Sequence, residues 1–312
     1  MPQKKDESSE MRTHRTVSEM LRSIYGEKVY RLSLESGCTC PNRDGKAGYG
    51  GCSFCTGSGS GEFASSARGM RGDVNAMLDS QIRSARERIA AKTDARRFIA
   101  YFQSFTNTYG DPVYLEKLYT AALSRDDIVI LSLGTRPDCL GKDIMDMLVR
   151  LNGIKPVWVE LGLQTVNDGT AESFGRGYRT EVFFDAYRRL KSAGIAVIAH
   201  VIFGLPGETR EDMLGTVRTL ADLRPELDGI KIHMLQVLKG TRLGDEYAAH
   251  PFSLMSLAEY GELVRDAIAL LPESTVIHRI TGDGPKSLLI APGWSADKKN
   301  VLNTMHRILG WV

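Results

Sequence analysis

The sequence predicts an α/β fold on a parallel sheet: a partial (β/α)6 barrel of TIM type with a C-terminal extension. Two observations lead there. Apolar runs of five to nine residues alternate with amphipathic stretches between about residues 74 and 240. Most of those runs read as continuous apolar stretches, as in strands covered on both faces. Six of them, counting one near the N-terminus, suit a barrel or partial barrel. An open doubly wound sheet is the competing arrangement. The length, 312 residues, suits one barrel with an addition.

The elements follow in order. Residues 1–24 read as a flexible arm and a short helix, with Met20, Leu21 and Ile24 on one face. Residues 25–240 form the core. Lys28–Leu34 is its first strand, and a glycine-rich, cysteine-rich loop over residues 36–62 breaks the pattern. Helices are then expected at Val74–Ala91, Leu115–Leu123, Ile144–Leu151, Val182–Ala193 and Arg210–Leu223. Strands are expected at Arg97–Phe102, Ile128–Leu133, Val157–Leu161, Ile195–Phe203 and Ile230–Leu235. Residues 241–312 are expected to cap the barrel, with a helix at Leu254–Leu270, a short strand at Val276–Ile280 and a final helix.

Forty basic and 38 acidic side chains leave a net charge of +2, which neither demands nor excludes a polyanionic partner. The N-terminus is polar with no apolar signal region, and no apolar run approaches the roughly 18 residues of a membrane span. A soluble, cytoplasmic protein with no membrane association is expected. Five cysteines exclude a disulfide scaffold. Four of them, Cys38, Cys40, Cys52 and Cys55, crowd into the loop, and Cys139 stands apart.

Soft thiolates on a glycine-rich loop suit zinc or an iron–sulfur cluster. One arrangement closes all four cysteines on a structural zinc. Another uses three, Cys40, Cys52 and Cys55 in C-x11-C-x2-C, for a 4Fe–4S cluster with one open iron. Unliganded thiols are the third reading. The loop follows the first strand and so lies at the C-terminal mouth, where barrel chemistry is done, which favours the cluster.

CPNRDG (Cys40–Gly45) followed by GGCSFC (Gly50–Cys55) resembles the radical S-adenosylmethionine enzymes. It is most similar to a long-loop subgroup related to the Elongator catalytic subunit and oxygen-independent coproporphyrinogen dehydrogenase. The resemblance spans roughly residues 25–240 and recurs after later strands. It implies a 4Fe–4S cluster on Cys40, Cys52 and Cys55, with Cys38 the competitor for the first position. It also implies bound S-adenosylmethionine, cleaved reductively to a 5′-deoxyadenosyl radical that abstracts hydrogen, and an electron donor such as flavodoxin or ferredoxin.

The same resemblance distributes the cofactor contacts. Phe54 matches the aromatic beside the adenine. Gln103 and Asn107, with Ser104 and Thr106, match a segment that binds the methionine ammonium. Arg176, twelve residues after Gln164, matches an arginine on the methionine carboxylate. Gly204, with Pro206 and Gly207, permits close backbone approach to the adenine. His200 stands where a relative has an aspartate, with a ribose role or a plain core histidine as readings.

Other candidates come from the residues themselves. Arg136 at a strand end suits a carboxylate or phosphate. Glu160 inside an apolar strand must be paired or functional, and it and Gln164 are in reach of ribose hydroxyls. Cys139 is either a small buried hydrophobe or a hydrogen-atom donor or acceptor. His233, Gln236, Met234 and Leu235 end the sixth strand.

For the substrate, Elongator-type relatives modify the wobble uridine of tRNA, and residues 241–312 are too few for their acetyltransferase domain. Basic residues near the ends (Lys4, Lys5, Arg12, Arg15, Lys286, Lys298, Lys299, Arg307) suit phosphates or a solvated surface. A tRNA base is the leading substrate. A small metabolite or protein, and a zinc-stabilised RNA-binding module, are the alternatives. RITGDGPK (Arg279–Lys286) reads as a substrate loop or a turn.

Overall fold

The computed structural model describes residues 14–59, 73–282 and 284–311. Lys4, Lys5, Arg12 and most of the expected N-terminal arm lie outside these residues.

The core strands are β1 (Val29–Leu34), β2 (Arg97–Phe102), β3 (Ile128–Thr135), β4 (Val157–Gln164), β5 (Ala196–Phe203) and β6 (Gly229–Met234). They pair in parallel in sequence order. One more strand than expected joins them. After the short β7 (Val237–Leu238), β8 (Val276–Arg279) pairs in parallel with β6, so the curled sheet has seven strands. Residues beyond 240 therefore complete the sheet's far edge as well as covering it. The last strand, β9 (Leu289–Ala291), pairs antiparallel with β7 at the mouth.

The helices are α1 (Val17–Tyr25), α2 (Val74–Ile89), α3 (Pro112–Leu123), α4 (Lys142–Asn152), α5 (Asp168–Ser173), α6 (Thr180–Ser192), α7 (Arg210–Ala221), α8 (Arg242–Ala249), α9 (Leu257–Ala269) and α10 (Lys298–Leu309). Cap chemistry sets several of their boundaries. Asp111 accepts from the amides of Val113 and Tyr114, with Pro112 in the first turn, so α3 starts three residues before its first buried leucine. Thr209 and Asp212 form a reciprocal capping box at the start of α7.

Alternation along the strands divides them between two environments. Leu32, Phe102, Leu133, Val159, Val197 and Ile232 pack outward into the main core against the helices. The inward side is layered. Its bottom is apolar: Ile99, Ile130, Trp158 and Ile198 pack with Leu21 of α1. Helix α1 thus plugs the base. It touches both β1 and β8, the two edges of the sheet, and Thr16 just ahead of it forms a parallel bridge with Ile277. Above that layer the interior becomes polar.

Candidate active site

Strands β3 and β4 run past their apolar stretches into Thr135 and Gln164, so their polar ends reach the mouth. There they border a cavity of about 1540 Å³, measured out to its opening. One wall is the cysteine loop. Cys40, Cys52 and Cys55 all line the cavity. Asn42 ties the loop down, its amide donating to Gly175 O (2.7 Å) and Arg176 O (3.1 Å) and lying 3.6 Å from Cys52 Sγ. Ser53 N donates to Phe174 O at 2.8 Å, fastening the loop to the turn before α6. Gly177 sits at φ +79°, and a Cβ there would stand 2.6 Å from Asn42 Oδ1, so only glycine allows this approach.

Cys38 turns the other way. Its side chain packs against the main core, and a Cβ on Gly110 would lie 2.9 Å from its sulfur. Burial pushes its thiol pKa up, opposed only by Ser36. The four loop cysteines are therefore divided three and one.

The three facing the cavity suit thiolate ligation. A hydrogen bond from Cys55, with Arg136, Asn42 and Arg43 acting against burial, brings Cys52 down to about 7. Cys55, donating that bond and buried, is pushed up. Basic and amide neighbours of this kind favour thiolates and tune a bound group. Among the described residues no three His, Cys, Asp or Glu side chains are grouped to hold a single ion. Thiolates that each take a different iron stand further apart than those sharing one ion.

Phe54, Gln103, Arg136, Glu160, Gln164, Arg176 and His200 also line the cavity. Phe54 packs on Phe174, ring centroids 5.2 Å apart. Both arginines are committed to the protein. Arg136 makes a bidentate pair with Asp138 (2.9 and 2.7 Å) and donates to Arg176 O. Arg176, 1% exposed, donates to Tyr178 O, Leu163 O, Thr165 O, Asp168 Oδ1 and Thr180 Oγ1. All five of its N–H groups are used, which leaves none for a methionine carboxylate.

Three candidates are not brought to the cavity. Asn107 is fully buried. It donates to Phe102 O and Gly134 O and accepts from Ser36 Oγ, locking β1, β2 and β3 together at their ends. Gly204 gives its N–H to Met213 Sδ, and its open face meets Met255. Cys139 is buried in the 3₁₀ turn Pro137–Cys139, and burial raises its thiol to about 12. That burial fits the small buried hydrophobe of the two readings.

The cavity floor was not anticipated as a unit. Glu160 Oε1 accepts from Ser132 Oγ (2.8 Å), while Oε2 accepts from Lys231 Nζ and from His200 Nε2 (2.8 Å). Lys231 Nζ also donates to Tyr101 Oη at 3.2 Å. Burial works against the Glu160 charge, but Lys231, His200 and Arg31 outweigh it and hold the carboxyl well below its usual range. Burial likewise pushes Lys231 down, Glu160 opposing. His200 is pushed down by burial against Glu160's pull. A neutral imidazole facing a carboxylate donates through that nitrogen, so Nε2 carries the proton and Nδ1 keeps its lone pair. His233 and Arg279 complete this end of the wall. Period-two alternation in IKIHML turns Lys231 and His233 inward together, a signal the sequence carries. Gln236 holds the turn after β8, accepting from Gly284 N (2.8 Å) and donating to Ser295 Oγ. Gly282 and Gly284 of RITGDGPK line the mouth.

A curled parallel sheet with a three-thiol loop at its C-terminal mouth defines a barrel enzyme that carries its cofactors there. The comparisons name the class. Residues 37–220 match the Radical SAM superfamily, and residues 227–309 match the Radical_SAM C-terminal domain. The chain belongs to the radical SAM superfamily, enzymes that use a 4Fe–4S cluster and S-adenosylmethionine. It is 40% identical over 302 residues to YtqA of Bacillus subtilis, covering 97% of this chain and 91% of that protein. It is 27% identical over 165 residues to the tRNA uridine(34) acetyltransferase of Methanocaldococcus jannaschii, covering 52% of this chain and 30% of that protein. In fold it is similar to Elp3 of Methanocaldococcus infernus (TM-score 0.59, 19% identity, 75% of this chain and 58% of that one).

Proposed function

We propose that this radical SAM enzyme modifies a base of tRNA. The observation that carries the reading is the partial match to a tRNA uridine(34) acetyltransferase over about half of this chain. The cavity supports it. It opens at the mouth between the cysteine loop and Gly282 and Gly284, an entry that suits a base turned out of its stack.

Cys40, Cys52 and Cys55 would hold the cluster, which with S-adenosylmethionine supplies a carbon-centred radical for hydrogen abstraction. The protein's own groups bind, orient and handle protons. Phe54 and Gln103 border the cofactor end, and Arg136 and Arg176 stiffen the wall between. At the floor, His200 presents Nδ1 as a proton acceptor, Nε2 being held by Glu160. The electron comes from a flavodoxin or ferredoxin, and the setting is cytoplasmic. No helix among the described residues is long and apolar enough to cross a membrane.

The test compares modified nucleosides in tRNA from a strain with and without the gene. One nucleoside lost in the deletion and restored by the wild-type gene is expected. An unchanged profile overturns the tRNA reading and moves the substrate to a small metabolite or a protein.

A further inference from the structure

We propose that Tyr178 is a positioning residue for S-adenosylmethionine, acting through Gln164. This rests on family membership and on Gln164 as a cofactor contact, not on the tRNA reading.

Among the described residues, Gln164 is one of two non-glycine residues with positive φ, at +63°; the other is Phe105, at +59°. Both line the cavity. A left-handed glutamine persists only where its surroundings over-determine it. The β4–β5 ladder jumps from Gly162 to Gln164, so an irregularity of bulge type re-aims the last residue of β4. Tyr178 fixes the result. Its hydroxyl donates to Gly162 O at 2.9 Å and lies 3.3 Å from Gln164 Oε1. The ring cannot shift. The guanidinium carbons of Arg136 and Arg176 stand 4.8 and 4.7 Å from its centroid, and both arginines are pinned by their own hydrogen bonds. Gly162 leaves the space that the Gln164 amide occupies, since a Cβ there would fall 2.7 Å from Nε2. A phenol held by two fixed cations, bonded to a strained strand end, is a device for aiming one amide into the cavity.

The test is calorimetric titration of S-adenosylmethionine into the full chain carrying its reconstituted cluster, with iron content and melting temperature measured for each variant. Tyr178→Phe is expected to raise Kd about tenfold, as for loss of one oriented hydrogen bond, at unchanged iron content. Gln164→Ala should weaken binding at least as much. The double variant should bind no more weakly than Gln164→Ala alone, because Tyr178 then has nothing to position. Gly162→Ala crowds the amide most, its Cβ falling 2.7 Å from Gln164 Nε2 and 3.3 Å from Tyr178 Oη, and should reproduce the loss even if Tyr178→Phe does not fold. An unchanged Kd in Tyr178→Phe or in Gly162→Ala overturns the proposal. So does additivity in the double variant. A wild-type chain that carries its cluster and binds no S-adenosylmethionine overturns it too.

Discussion

Lys231 of β6 and Glu160 of β4 form an ion pair whose side chains are 1% and 0% exposed. Burying two charges costs desolvation that their attraction only partly returns, and losing one partner strands the other. Glu160→Gln or Lys231→Met should therefore each cost about 3–5 kcal/mol. The double replacement Glu160→Met with Lys231→Met should cost less than either. Urea unfolding at pH 7 measures all three. A double variant as unstable as the sum of the singles would contradict the pairing.

The same pair sets a pH dependence. Glu160's folded-state pKa lies below its usual 4.5, so its contribution is full above that pH and lost as pH falls through the folded value. His200 is held below its usual 6.5, so the unfolded chain takes up that proton first, and acidification below 6.5 also favours unfolding. Stability should fall as pH drops below 6.5 and go on falling below 4.5, and Glu160→Gln should flatten only the part of the fall below 4.5. Parallel curves for wild type and variant would remove Glu160 as the cause.

These charges mark how far the sequence could be read. The period of apolar runs located the six core strands within a few residues, because strands buried on both faces leave a long, local signal. Val276–Arg279 was legible as a strand but not as a member of the sheet, since its partner β6 is set by tertiary closure. Among site residues, those lining the cavity sat at strand ends in motif order. Asn107 and Gly204 sat there as well, yet their hydrogen bonds turn inward to Gly134 and Met213, a choice made by side-chain geometry that no spacing reveals. Tyr178 was hidden for a related reason. Its role depends on Arg136, forty-two positions away.

The cysteines separate cleanly. Anaerobic reconstitution of Cys40→Ala, Cys52→Ala or Cys55→Ala should lose most iron and sulfide, whereas Cys38→Ala should keep about four irons. Cluster loss in Cys38→Ala alone would move the first ligand.

Cys139→Ala should behave as a small core truncation, costing about 1 kcal/mol. Reductive cleavage of S-adenosylmethionine to 5′-deoxyadenosine should continue at the wild-type rate. Collapse of that reaction in a folded, cluster-bearing variant would return Cys139 to the chemistry.

Leu21→Ala in α1 should cost about 3 kcal/mol by opening a void in the barrel base. Thermal unfolding of the full chain reads this, and a change below about 0.5 kcal/mol would mean that the plug does not seal.

That plug has a consequence for how the chain is made. Just before α1, His14 Nε2 meets Leu271 O, 257 residues along the chain, and the helix itself touches the sheet's first and last strands. Helix α1 therefore cannot reach its final seat until the chain has been made as far as β8. Closures between such distant partners are slow, and incomplete sheets expose unpaired edges while they wait. Until β8 is in place the nascent barrel stays open at its base, and a helix made before every core strand waits on the far edge of the sheet.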